Sequence, residues 1–243
     1  MVQSGQRLDH FTPSAVLSAC ASVATLECGM EVHAYALRAC LESNVFVGCA
    51  LVDMYSKCGR IDYALRFFDM MPIRNVSSWN SMISGYACHG HGDKGLELFS
   101  RMKLDGLPPN HVTFVWVLSA CSHAGLVDEG AGQLDKMKDF INKMPIKPNN
   151  FIWRTVLGAC CRANGRKIEL GRKAADMLFE MEPQNDANYM LLANMYADGD
   201  KWEDAARVRK LMREAEVKKE AGSSWVTTKD GVHVFVAGGK SHP

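Results

Sequence analysis

The sequence predicts an all-α fold: a right-handed α-solenoid of helix-pair repeats, ending in a short C-terminal β-hairpin. Three observations carry that prediction. A short block of residues recurs along the chain, it recurs at a nearly constant interval, and each interval holds two apolar stretches separated by a small-residue break. Repetition at 20 to 50 residues is the mark of a solenoid, since one helix pair cannot bury its own apolar face and must stack on a neighbour.

The block itself is explicit. Val16-Leu17-Ser18-Ala19-Cys20 returns letter for letter as Val117-Leu118-Ser119-Ala120-Cys121, with Val156-Leu157-Gly158-Ala159-Cys160 as a near copy. Leu51-Val52-Asp53-Met54-Tyr55, Met82-Ile83-Ser84-Gly85-Tyr86 and Leu192-Ala193-Asn194-Met195-Tyr196 complete the series. Taken in chain order, the last residues of these blocks lie 35, 31, 35, 39 and 36 positions apart. A break such as Lys57-Cys58-Gly59 or His89-Gly90 follows the block, and then a second stretch with apolar residues at i, i+3 and i+4, as in residues 62–68 and 94–99. That spacing is helical. Units close on Met71-Pro72, Gly106-Leu107-Pro108 or Met144-Pro145, where proline stops a helix because it lacks an N–H and clashes with the preceding turn. Near the C-terminus, Trp225-Val226-Thr227 and Val232-His233-Val234-Phe235-Val236 flank Lys229-Asp230-Gly231. Asp-Gly between alternating apolar runs predicts a hairpin turn.

Composition narrows the function. The 243 residues are 47% hydrophobic and 23% charged, with a formal net charge of +1, so no global basic field marks the chain as a non-specific nucleic-acid binder, and any such site must be a local groove. No apolar run approaches the ~18 residues of a membrane span, and the first residues show neither a signal nor a transit pattern. Nine cysteines form no C-x-x-C pair. The expectation is that most are buried, reduced thiols acting as small hydrophobes, Cys20, Cys121 and Cys160 among them, rather than zinc ligands. H-x-E, G-x-S-x-G, Walker and H-E-x-x-H patterns are missing, so no cofactor, metal or catalytic activity is expected of this chain. His89 and His91 fall in an interhelix turn and are expected to be solvated.

The alternating 35- and 31-residue steps, with Met-Pro and Pro-Asn endings, resemble pentatricopeptide repeat proteins of the plant PLS subclass. On this register residues 10–44 form an L motif, 45–75 an S motif and 76–110 a full P motif, with a second L motif opening at His111. Met1, Gly5 and Asp9 align with Met102, Gly106 and Asn110, so the chain is expected to begin inside a repeat. The last third resembles the E and E+ extension of RNA-editing members, through residues 152–160, Glu169-Leu170-Gly171, Glu182-Pro183, residues 188–196 and Trp202-Glu203-Asp204. Lys218-Lys219-Glu220-Ala221-Gly222-Ser223-Ser224-Trp225 is similar to the family's Pro-Gly box, with Ala221 where proline is usual. The resemblance divides the chain into a repeat solenoid over 1–149, helix pairs over 150–187 and 188–222, and an E+ segment over 223–243. It places the chain just short of a zinc deaminase-like domain that many such proteins carry.

One step departs from the pattern. Between Cys121 and Cys160 about one repeat is missing, and halves of an L and an S motif are fused, with about seven extra residues over 125–131. The expectation is a lengthened second helix, weakened by Gly130 and Gly132 at roughly 1 kcal/mol each, with the stack kept in phase.

In this family the fifth and last residues of a motif read one base of single-stranded RNA, while apolar side chains sandwich it. Carried over, the pairs are Ser14 with Asn44, Cys49 with Asn75, Asn80 with Asn110, and Val115 with Asn149. Asn80 with Asn110 is the strongest of them, because an amide both donates and accepts and asparagine at the fifth position goes with pyrimidines in the family. Cys49 and Val115 are poor hydrogen-bonding groups, so their repeats should be permissive. The competing reading of these asparagines is structural, as helix N-caps or turn residues. Late basic residues Arg207, Arg209, Lys210, Arg213, Lys218 and Lys219 offer phosphate contacts, though interleaved Glu214, Glu216 and Glu220 suit a solvated helix face equally.

The resemblance implies an RNA-binding specificity module for C-to-U editing in a mitochondrion or chloroplast, recruiting a deaminase or other editing-complex proteins in trans through residues 150–236. A peptide-binding scaffold and a truncated product that folds without activity stand as alternatives.

Overall fold

The computed structural model describes residues 9–127, 132–162, 168–217, 223–228 and 231–236. The chain divides into two compact units, residues 1–159 and 160–243, with the division inside helix α9.

The first unit is a stack of helix pairs. Its elements are α1 (Phe11–Val23), α2 (Leu26–Arg38), α3 (Val45–Lys57), α4 (Ile61–Met70), α5 (Val76–Cys88), α6 (Gly92–Leu104), α7 (His111–Val127), α8 (Gly132–Asn142) and most of α9 (Asn150–Arg162). Odd-numbered helices pack on one another in sequence, α1 on α3, α3 on α5 and α5 on α7, and each packs against the even-numbered helix that follows it. This accounts for the apolar density of the recurring block. A first helix is covered by both neighbours in the stack and by its own partner, so Leu51, Val52 and Met54 of α3 and Met82 and Ile83 of α5 are fully buried. Second helices are covered on one side and keep a polar outer face; α4 buries Ala64 and Phe68, and α6 buries Leu98, Phe99 and Met102.

From α3 onward, the starts of the first helices coincide with the repeat boundaries because an asparagine sits at each. Asn44 Oδ1 accepts from the backbone N–H groups of Phe46 and Val47, at 2.9 and 3.3 Å. Asn75 and Ser78 close a reciprocal capping box. Asn110 Oδ1 accepts from Thr113 N at 3.0 Å, and Asn149 Oδ1 from Ile152 N at 3.1 Å. Such caps contribute about 1 kcal/mol each. The recurring Tyr is the other end of the device. The Tyr55 carbonyl accepts from Arg60 N at 2.8 Å and that of Tyr86 from His91 N at 2.9 Å, with Gly59 (φ 75°) and Gly90 (φ 76°) in the left-handed region between them. This is a Schellman turn, which glycine closes without a Cβ penalty.

The expectation for the fused repeat falls partly outside the described residues. Of the extra residues expected over 125–131, Gly125 to Val127 continue α7, which is described for 17 residues against 13 in α3 and in α5, while 128–131 lie outside the described residues. Gly132 is the first described residue of α8, and Gly130 lies outside the described residues. Beyond the insertion α7 still packs against α8, with Met137 and Ile141 buried.

The second unit holds α10 (Ile168–Met181), α11 (Asp186–Asp198), α12 (Trp202–Glu214), β1 (Ser223–Thr228) and β2 (Gly231–Val236). Helix α11 packs on both α10 and α12. Asn185 caps it, Phe179 stacks on Tyr189 with centroids 4.2 Å apart, and Gly171 lets α10 approach Met195 closely. The Schellman bond recurs from Lys201 N to the Tyr196 carbonyl at 2.8 Å, but Asp200 (φ 56°) occupies the left-handed position. The two strands pair antiparallel, Trp225 opposite Val234 and Thr228 opposite Gly231. Gly231 therefore belongs to the ladder rather than to the turn; Lys229 and Asp230 lie outside the described residues, as do Met1, Gly5 and residues 218–222 of the Pro-Gly-like segment.

Among the described residues no helix is long and apolar enough to cross a membrane. The cysteines are less uniform than expected. Cys20, Cys121 and Cys160 are buried, but Cys28, Cys40 and Cys88 are exposed and Cys49, Cys58 and Cys161 half-buried, since only the block-ending position faces the core.

Candidate nucleic-acid interface

The four fifth-position residues occupy equivalent sites near the starts of the stacked first helices: Ser14 on α1, Cys49 on α3, Asn80 on α5 and Val115 on α7. Their surroundings differ. Asn80 is 8% exposed and fully engaged on one side. Its Nδ2 donates to Asn110 Oδ1 at 3.3 Å, and its Oδ1 accepts from the hydroxyl of Thr113 at 2.7 Å. The same hydroxyl oxygen accepts from Asn110 N at 3.1 Å. The motif's fifth and last residues are thus in direct contact, joined through the third residue of the next repeat.

Cys49 also meets its partner: its thiol donates to Asn75 Oδ1 at 3.4 Å. Burial pushes that thiol's pKa up, opposed by hydrogen bonds from Ser77 and Ser78, so Cys49 is a neutral, weak donor. The other two pairs are not joined among the described residues. Ser14 turns its hydroxyl back to the His10 carbonyl at 2.7 Å, while Asn44 caps α3. Val115 has no polar group, and Asn149 caps α9. Capping and recognition are therefore compatible uses of the end asparagine, since the cap occupies its oxygen and leaves its NH2 group.

A cavity of about 380 Å³ opens beside Asn80 and Asn110, within the ~300–1,000 Å³ typical of sites for small organic groups. Val76, Val112 and Trp116 give it apolar walls, and Asp53 and Lys57 of α3, paired at 2.9 Å, stand at its edge. Ser56 of α3 and, from α5 and its C-cap, Gly85 and His89 complete the lining. His89 is exposed, yet its Nε2 lies 2.8 Å from the Ser56 carbonyl; a carbonyl only accepts, so Nε2 carries the proton. From its exposed position in the turn His89 thus ties two repeats together. His91 packs edge-on against Tyr86. Thr113, Lys57 and Trp116 were not singled out in the sequence. The available signal for Thr113 was Asn110-x-x-Thr113, a capping-box spacing shared with Asn75-x-x-Ser78.

Two of the late basic residues form ion pairs along the helix. On α12, Arg207 pairs with Asp204 at 2.6 Å and Lys210 with Glu214 at 3.6 Å, all at the surface; Lys218 and Lys219 lie outside the described residues. Among the described residues no group of three or more His, Cys, Asp or Glu is placed to hold a metal ion.

Comparison with known proteins agrees with this architecture. Residues 49–76 match the pentatricopeptide repeat, 74–123 the pentatricopeptide repeat family and 166–227 the E motif. A pentatricopeptide repeat-containing protein of Arabidopsis thaliana is 65% identical over the whole of this chain and 27% of its own length. A second from the same plant is 39% identical over 95% of this chain and 36% of its own. A third, named as mitochondrial, is 37% identical over the whole chain and 30% of its own. The chain thus spans about a third of the length of these relatives. Among solved structures, the pentatricopeptide repeat protein PPR10 in complex with an 18-nt psaJ RNA element superposes with a TM-score of 0.74 at 16% identity, over 90% of this chain and 32% of that one. PPR10 from maize gives 0.51 at 20% identity, over 90% and 36%. The repeat matches, the E motif and the 65% identical relative together place the chain in the pentatricopeptide repeat family, among the members that carry an E motif.

Proposed function

We propose that this chain binds single-stranded RNA with base selectivity and serves as a site-recognition module for C-to-U editing in a mitochondrion or chloroplast. The observation that carries the reading is the Asn80–Asn110 pair on the wall of a cavity with apolar sides. Such an arrangement holds one unstacked base between Val112, Trp116 and Val76 while amide N–H groups meet its edge. Lys57 at the cavity edge supplies a cation for the backbone phosphate. Cys49 and Val115 offer little hydrogen bonding, so the neighbouring nucleotides are held permissively.

The E motif supports the editing role. In this reading the chain itself performs no catalysis, and residues 150–236 recruit a deaminase or other editing-complex proteins in trans. The relative named as mitochondrial supports an organellar setting.

Selection from a random pool of short single-stranded RNAs tests the core of the proposal, with Asn80→Ala as the control. Enrichment of a short pyrimidine-containing motif, with one position relaxed in the variant, supports it. A folded, helical chain that retains no RNA at low salt sinks it.

A further inference from the structure

Asn80 cannot read a base unless its amide is held one way round, because a flip exchanges an acceptor for two donors at the same place. The structure shows what holds it. Thr113 is fully buried in the first turn of α7 and belongs to the following repeat. Its hydroxyl has a single proton, and the nearest acceptor is Asn80 Oδ1 at 2.7 Å; Asn110 Oδ1 is farther, at 3.1 Å, and already takes the Thr113 N–H at 3.0 Å. The hydroxyl oxygen in turn accepts from Asn110 N at 3.1 Å. With the carbonyl of Asn80 fixed against Thr113 and one of its N–H groups on Asn110, its second N–H remains for the cavity it lines. The Asn110 oxygen is likewise consumed, leaving that residue's NH2 group.

The other repeats lack this lock. The residue equivalent to Thr113 is Val47 after Asn44 and Ile152 after Asn149, neither of which has a hydroxyl. Ser78 after Asn75 has one, but turns it to the Asn75 carbonyl at 2.8 Å. Only one described repeat thus combines an amide reader with a hydroxyl that orients it.

We propose that Thr113 is a positioning residue for base selectivity: it locks the Asn80 amide so that this repeat presents N–H donors to the base edge. This rests on the RNA-binding reading above.

The test uses the intact chain and four single-stranded RNAs differing only at the nucleotide that Asn80→Ala relaxes. Thr113→Val keeps the shape and removes the hydroxyl. The expected result is a roughly fivefold loss of discrimination among the four bases at that nucleotide alone, the scale of one hydrogen bond, with Thr113→Ser restoring it. A merely structural role for Thr113 predicts equal weakening for all four RNAs, and that outcome, or unchanged discrimination, overturns the inference while leaving RNA binding in place. Absence of RNA binding by the unaltered chain overturns both. A gain-of-function pair guards against a variant that does not fold. Cys49→Asn with Ser78→Thr should create a second discriminated nucleotide one repeat away, and Cys49→Asn with Ser78→Val should not; equal behaviour of the two overturns the inference.

Discussion

Asn80, inside helix α5, and Asn110, the cap of α7, are joined by an amide–amide hydrogen bond of 3.3 Å across 30 residues of sequence. Under the proposed function, a folding role and a recognition role then share one side chain. The oxygen of Asn110 caps α7 and accepts from Asn80, while its NH2 group remains for a ligand.

That division of labour predicts the effect of Asn110→Asp. Aspartate caps a helix as well as asparagine and still accepts from Asn80 and Thr113, so the fold should stand. The lost group is a donor, replaced by an acceptor. Preference at the facing nucleotide should move from a base presenting an acceptor at ring position N3, as cytosine does, toward one presenting N–H there, as uracil does. Competition binding with the single-nucleotide RNA panel measures the order; an unchanged order contradicts the assignment of this pair to base reading.

Lys57 should behave oppositely. Its ammonium sits at the cavity edge, ion-paired with Asp53 at the surface, where such a pair contributes little to stability. Lys57→Ala is expected to weaken all RNAs about equally and to lower the slope of log affinity against log salt by ~0.7, the value for one contact to a single strand. Selectivity for one base lost with Lys57, or no change in slope, would remove this residue from the phosphate path.

How much of this was legible beforehand depends on the range of each interaction. The repeat boundaries could be read because their causes are local: an asparagine cap, a block ending in Tyr or Cys, and a glycine after it all lie within one helix and its turn. Asn80 and Asn110 could be placed as a pair only through family resemblance, since 30 residues of sequence hide their contact. Thr113 was missed because a buried threonine near a helix start looks like a propensity-neutral residue until the partner across the interface is known.

The same contrast between local and tertiary causes predicts two glycine effects. Gly59 adopts φ 75° with nothing but His89 near a would-be Cβ, so Gly59→Ala should cost ~1–2 kcal/mol through backbone strain alone. Gly85 has ordinary helical geometry, but a Cβ there would sit 2.7 Å from Ser56 Oγ and 2.8 Å from Ser56 Cβ. Gly85→Ala should cost a similar amount by overpacking α3 against α5, in the usual ~1–3 kcal/mol range. Thermal melting separates the mechanisms: adding Ser56→Gly should rescue Gly85→Ala and leave Gly59→Ala unchanged. Failure of that rescue would show that α3 and α5 are not held at this contact.

The last prediction concerns pH. His33 on α2 lies against α3 and α4, its Nδ1 2.8 Å from the Tyr55 hydroxyl and its ring edge-on to Tyr55 and Phe67. Its Nε2 is buried without a hydrogen-bond partner. Burial pushes its pKa below the ordinary 6.5, and the nearby Glu42 carboxylate only partly opposes this. In the unfolded chain the imidazole takes up a proton as pH falls through about 6.5, whereas in the folded chain it resists. The unfolded state then binds more protons, so stability rises with pH across this window and is lost on acidification. The urea midpoint of the chain should therefore fall as pH is lowered from neutrality through that window. In His33→Gln, which keeps a polar group of similar reach but cannot titrate, the midpoint should fall less. Parallel pH profiles for the two proteins would mean that the Tyr55 hydroxyl and Glu42 stabilise the protonated ring as well as water does, and that His33 is no acid-sensitive point in the stack.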